Sequence, residues 1–299
     1  MNTLLILISI MLFSAQTLSM KLIKSGPLRQ RLLIYAGFTF IAAAGLMLFS
    51  LFQPEARQIS LETLIFGCLF GLGFMLTIIF YNLAISTGPL SYTAFYFSAS
   101  MLIPTVTGII AFQEAITGVT LAAIVLFIAA FYFINVNPNS KKDVTPRGDK
   151  WLLYCLLTFV FNGSLAVIQK FHQHQMNGTQ SSGLMLVGFC SAFVFYILAY
   201  VVQYISAKKE EDINLLGESI ALRQNLLPIV LLASTSLIGN IIMTTLSGIV
   251  PSSYLFPLVQ GSIIVSITLS SVLLFREKLT TYGKLGITLG ILAIVTINF

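Results

Sequence analysis

Charge is scarce in this 299-residue chain: Asp, Glu, Lys and Arg together make up 9% of it, against about 25% in an ordinary soluble domain. So few charges cannot clothe a water-soluble globule. The three cysteines, Cys68, Cys155 and Cys190, are an odd number set inside apolar stretches without metal-ligand spacing, which argues against a disulfide framework and a metal site. The two histidines, His172 and His174, stand together beyond an apolar run; two imidazoles at that spacing supply too few ligands for a metal, and Lys170, His172 and His174 are expected in an exposed loop. No glycine-rich phosphate loop, intramembrane carboxylate pair or nucleophile with its base is present, so neither an enzyme nor a cofactor is expected. The longest polar stretches, about 137–150 and 207–225, are too short for an independent domain. A formal charge of +6 is scattered between hydrophobic runs, unlike the clustered basic face of a nucleic-acid binder.

What fills the chain is apolar: 57% hydrophobic residues and a mean hydropathy of +0.94. Crossing a bilayer core of roughly 30 Å takes about 20 helical residues. Runs of that size recur at about 2–20, 32–52, 61–85, 89–112, 117–136, 151–170, 181–206, 226–248, 251–275 and 280–298. They do not alternate polar with apolar residues as barrel strands do, so backbone hydrogen bonding in lipid requires helices. The expectation is an all-α polytopic membrane protein with ten transmembrane helices. Its partners are then the lipid bilayer and a small-molecule substrate, and a monomer is compatible with both. The first run has no positive segment before it and no clear cleavage site after it, and reads as a retained span.

Fourteen of the sixteen Lys and Arg fall in or beside the loops after runs one, five, seven and nine, leaving only Arg57 and Lys170 on the other side. Cytoplasmic loops carry this excess, so those loops are expected inside and both termini outside the cytoplasmic membrane.

The sequence also repeats. Pro89-Leu90-Ser91-Tyr92 is answered by Pro251-Ser252-Ser253-Tyr254, Phe112-Gln113-Glu114-Ala115-Ile116-Thr117 by Phe275-Arg276-Glu277-Lys278-Leu279-Thr280, and Ile134-Asn135 by Ile297-Asn298, at a steady offset of 162 or 163 residues. This predicts two five-helix halves, 1–136 and 151–299, joined by a cytoplasmic linker at 137–150. Five is odd, so the second half enters the membrane inverted. The inversion explains why the first join has uncharged Gln113 and Ala115 where the second has Arg276 and Lys278, as a cytoplasmic position favours.

These duplicated marks, with Gly283, Gly286 and Gly290 in the tenth run, resemble the drug/metabolite transporter superfamily in its ten-helix form with two EamA-like halves. The likeness extends over essentially the whole chain. Two departures are Ala129-Ala130, where a late glycine is common, and the absence of a counterpart to Pro104 in run nine. The resemblance implies a central cavity surrounded by helices one, three, four, six, eight and nine. In the small four-helix exporters of that superfamily a glutamate in the first helix binds protons and cations; the polar residues here are Ser14 and Gln16, which argues against proton-coupled export of cationic drugs.

Tyr92, Tyr96 and Ser100 recur at four-residue intervals on one helical face, and Tyr254 and Ser262 share a similar stripe in run nine. The repeat pairs Ser98 with Gln260 and Ser100 with Ser262. Gln16, Asn162 and Asn240, with Ser14, Ser164, Ser234 and Ser236, also interrupt apolar runs, where a buried polar group needs a partner or a ligand; close helix packing is the other use of the small residues. Gln16, Tyr92, Tyr96, Ser98, Ser100, Asn162, Asn240, Tyr254, Gln260 and Ser262 are thus the candidate substrate contacts. Glu114 and Glu277 mark helix ends, with Thr117 and Thr280 capping the helices that follow, or form gates. Uncharged amides and hydroxyls suit a neutral or zwitterionic metabolite such as an amino acid, and the expected function is its export by alternating access. The alternatives are a flippase for a lipid or lipid-linked sugar, and a sugar uptake carrier.

Overall fold

The computed structural model describes residues 2–23, 26–52, 59–87, 90–135, 150–208, 215–275 and 281–297. Among them are twelve helices and no strand: α1 (Asn2–Leu22), α2 (Leu28–Phe52), α3 (Leu61–Thr87), α4 (Leu90–Ala99), α5 (Leu102–Ala111), α6 (Gly118–Asn135), α7 (Trp151–Gln175), α8 (Ser181–Lys208), α9 (Leu215–Gln224), α10 (Leu226–Ile249), α11 (Ser252–Phe275) and α12 (Thr281–Ile297). Six are long and apolar enough to cross a membrane: Asn2–Met20, Leu28–Phe52, Leu61–Ala84, Trp151–Gln175, Ser181–Ile205 and Leu226–Ile249. Large apolar side chains such as Met11, Phe52, Ile110 and Val202 are more than half exposed, a surface suited to lipid rather than water. The protein is an all-α chain fitted to a membrane.

The helices differ from the ten expected spans in three places. The fourth run is two helices, because Pro104 has no N–H to give the carbonyl of Ser100. Ile103 N–H takes that carbonyl at 3.1 Å, Met101 N–H bonds Ser98 O at 3.3 Å, and the helix restarts one residue later. The polar loop before run eight contains α9, too short and too polar to register as a span. The third difference is at the end of α7, which continues through Gln175, so the expected loop at Lys170, His172 and His174 is helix. The linker at 137–149 lies outside the described residues.

By compactness the chain forms two units, Thr3–Met75 with Phe171–Thr245, and Leu76–Lys170 with Leu246–Phe299. This division is a different one from the division at 137–150 read from the repeat: each unit draws on both sequence halves.

In the first unit α2 packs along α8. Phe74 is its aromatic hub, with ring centroids 5.8 Å from Phe38, 6.0 Å from Phe70 and 5.8 Å from Phe189. Gly67 and Gly71 set the approach of α3 to α8: a Cβ on Gly71 would stand 2.1 Å from Ser191 Oγ and 2.5 Å from Gly188 O. The Ser191 hydroxyl donates to Gly67 O at 3.2 Å across the same seam. Small residues here serve close packing.

The second unit is built on α6 against α12, with α11 packed on α5, α6 and α12. Gly261 of α11 admits the ring of Phe127, and Gly290 of α12 admits the side chain of Val265. Thr117 caps α6 by accepting Thr120 N–H at 3.1 Å.

Candidate functional site

The break between α4 and α5 gathers three of the expected polar residues. Ser98 and Ser100 are buried at 5% and 1% exposure. The amide Nδ2 of Asn162, on α7, donates to Ser100 Oγ at 2.6 Å and to Phe97 O at 3.3 Å. Asn162 therefore supplies donors where the interrupted helix has spare acceptors. The next residue, Gly163, brings the α7 backbone against the break: a Cβ there would lie 2.6 Å from Ile103 Cδ1 and 2.8 Å from Ser100 O. Broken helices are tolerated at membrane depth where protein or a cavity satisfies the freed backbone.

Tyr96 leans edge-on against Trp151, 6.3 Å between centroids. The indole N–H of Trp151 donates to Thr93 Oγ1 at 3.1 Å. With Ala84, Cys155 and Tyr154 these residues form a packed cluster, so at least part of the Tyr96 ring serves the core. On α11, Ser262 is buried, while Tyr254 and Gln260 are half-buried. Tyr92 falls in α4 with its side chain outside the described set, and Glu277 lies outside the described residues.

The first unit holds the other two candidates. Gln16 on α1 has its Oε1 buried without a hydrogen-bond partner, as is Ser14 Oγ; such groups are rare unless something else satisfies them. Asn240 instead returns its Nδ2 to Ser236 O of its own helix at 2.8 Å. Ser164, half-buried, and Ser234, exposed, likewise bond their own helices, at Val160 O and Val230 O.

Glu114 is more closely engaged than a helix-end marker needs to be. Gln113 adopts a left-handed backbone, φ 50°, and the turn carries Glu114 back so that its N–H reaches Gly108 O at 3.1 Å. Its carboxylate then meets Lys170 Nζ at 2.9 Å and the backbone N–H of Ser253 at 3.0 Å, with Ser252 N–H also bonding it. Burial pushes the carboxyl up, but the amides of Ser252 and Ser253 together with Lys170 outweigh it and hold the group below its ordinary value. Glu114 is ionised at neutral pH and sits at the N-terminus of α11, where helix amides favour an anion.

Lys170, Ser252, Ser253 and Gly108 were not among the residues expected to function. One signal pointed to Lys170: a lone cation, apart from Arg57, on the side where the charge count left almost none.

His172 is fully buried at 0% exposure. Its Nε2 meets Thr63 Oγ1 at 2.9 Å and its Nδ1 meets Gln173 Nε2 at 2.9 Å. Thr63 Oγ1 donates to Gln180 Oε1 at 2.7 Å and accepts from Ser60 Oγ at 3.0 Å, while Ser181 Oγ donates to Gln173 Oε1 at 3.0 Å. A neutral Nε2–H imidazole fits every bond. These residues tie the start of α3 to the turn joining α7 and α8, a structural role.

No family model matches the chain, and no curated protein matches it. A solved structure titled only "Crystal structure of protein" superposes with a TM-score of 0.74 at 15% identity, covering 99% of this chain and 95% of that one. At that identity the likeness shows a shared fold and nothing about activity.

Proposed function

We propose that this protein is a secondary transporter that moves a small neutral or zwitterionic metabolite, an amino acid or related compound, out across the cytoplasmic membrane by alternating access. The reading takes α4 and α5 as one crossing, α9 as a surface helix and the remaining helices as single crossings, giving ten spans in two inverted five-helix repeats of the EamA-like kind. Ten residues of helix reach only about 15 Å, so neither α4 nor α5 crosses alone. The observation that carries the proposal is the α4–α5 break backed by Asn162, Ser98 and Ser100. Transporters commonly place their substrate sites at interrupted helices, and the groups here are uncharged. Half-buried Gln260 is a further contact in this account, and Gln16, whose carbonyl oxygen is buried without a partner, is a separate candidate within the first unit.

One observation favours the flippase alternative. A cavity of about 460 Å³ runs along α2 and α10, lined by Ile41, Leu46, Phe49, Leu237 and Ile241 among others, a surface suited to an acyl chain. Among the described residues its lining includes no basic side chain to hold a phosphate, which a flippase of a phosphate-bearing lipid needs, so the metabolite reading is kept.

The test is flux of labelled amino acids and sugars in proteoliposomes containing the purified chain. Saturable transport of at least one amino acid is expected, with Asn162→Ala and Gln260→Ala each reducing it by about tenfold, the effect of losing a hydrogen bond worth about 1.4 kcal/mol. Flux that both substitutions leave unchanged would remove these residues from the site. Absence of flux for every solute would count against the transporter.

A further inference from the structure

The surroundings of Glu114 have the makings of a binding site whose occupant is the chain itself. Two successive amides at the N-terminus of α11, those of Ser252 and Ser253, and the Lys170 ammonium converge on one carboxylate. The ammonium is fixed in turn by Val250 O at 3.3 Å and lies 5.4 Å from the centre of the Phe112 ring. Gly108 leaves the room: a Cβ there would stand 2.4 Å from Glu114 Oε2 and 2.8 Å from Ser252 Cβ. One donor remains unused, for the hydroxyl of Ser252, a residue 1% exposed, has no hydrogen-bond partner. A site built only to pin Glu114 would leave no buried donor idle beside it.

We propose that Lys170, the α11 N-terminus and Ser252 form a carboxylate-binding seat, held by Glu114 as a tethered stand-in and taken in turn by the carboxylate of the transported solute. The proposal rests on the transporter reading and narrows it to solutes bearing a carboxylate, amino acids included. Exchange frees the 112–117 segment from α11 and from the end of α7. No bond is made or broken covalently; one anion replaces another against the same donors, so the charge of the seat is conserved.

Competition gives the test. Acetate is titrated into the purified full-length protein in detergent at constant ionic strength, with acetamide as the neutral control, and thermal stability is read. The seat predicts that acetate raises the melting temperature of the wild type, and that Glu114→Ala responds at about tenfold lower acetate, because a tethered competitor acts at an effective concentration of millimolar or more. Glu114→Gln, which keeps the side-chain shape, should fall between the two and serves if the alanine variant does not fold. Lys170→Gln should abolish the response. Equal shifts with acetate and acetamide, a wild type indifferent to acetate, or a wild type and Glu114→Gln responding at the same acetate concentration would each overturn the seat. The assay needs no membrane gradient, so amino-acid flux without acetate competition removes the seat alone, whereas competition without flux removes the transporter reading.

Discussion

Glu218→Ala is expected to destabilise the protein by about 3–5 kcal/mol, the usual result of removing one partner from a buried ion pair. Glu218 is 3% exposed. Its carboxylate pairs with Arg29 and accepts the Tyr200 hydroxyl at 2.7 Å, so the alanine leaves a guanidinium and a phenol facing a gap. Because the cost comes from the stranded charge, Arg29→Leu combined with Glu218→Leu should be far milder than Glu218→Ala, while Tyr200→Phe should lose about 1.5–3 kcal/mol for one hydrogen bond to a charged group. Unfolding in detergent micelles checks all three. A double substitution as damaging as Glu218→Ala would show that packing of α9, and not the uncompensated charge, sets the effect.

Gly261 gives the second large effect. An added Cβ would fall 1.9 Å from Phe127 Cε1, and Phe127 is fully buried with its ring stacked on Phe131 at 6.2 Å. Gly261→Ala should therefore cost about 1–3 kcal/mol by overpacking, and Gly261→Leu should prevent accumulation of folded protein. Phe127→Leu made together with Gly261→Ala should recover part of the loss, since the two changes share one space. Thermal unfolding of the single and double variants decides this; strict additivity would mean that the clash is relieved elsewhere. The glycine stands between Gln260 and Ser262, so the same substitution tests whether two proposed solute contacts depend on how α11 sits against α6.

Where sequence and structure part, the cause is a tertiary contact that hydropathy does not register. Composition and pattern together correctly called for apolar helices, because backbone groups in lipid are satisfied only in helices or closed barrels, and the apolar runs lack a barrel's alternation. They could not divide the fourth run, although Pro104 stood there without a counterpart in the repeat. They passed over α9, whose Glu218 and Arg223 look like a solvated loop until Arg29 and Tyr200 are brought to Glu218. The stretch from Gln169 to Met176 misled for the same reason: Lys170, His172 and Gln173 read as water-facing, yet Glu114 takes Lys170 while Thr63 and Ser181 bond His172 and Gln173 inside. A helical period was there to be seen, since Gln169, His172, Gln173 and Met176 recur at i, i+3, i+4 and i+7, and the first three are buried.

The candidate site was legible in part. The period-four stripe and the repeat singled out Ser98 and Ser100, and Asn162 stood out as an amide in an apolar run; the structure joins Asn162 to Ser100 at the break. Glu114 was found through the repeated join, but its partners come from the end of α7 and the start of α11, more than fifty residues away in sequence, and no local pattern announces them.

The inverted repeat is the premise of the alternating-access account, and it is tested most directly by cysteine labelling from the two sides of the membrane. Single cysteines are introduced as Gln113→Cys and Arg276→Cys in a chain whose Cys68, Cys155 and Cys190 have been replaced, and an impermeant thiol reagent is applied to intact cells and to inverted vesicles. The account predicts labelling of position 113 in cells and of position 276 in inverted vesicles. Labelling of both positions from the same side would contradict it.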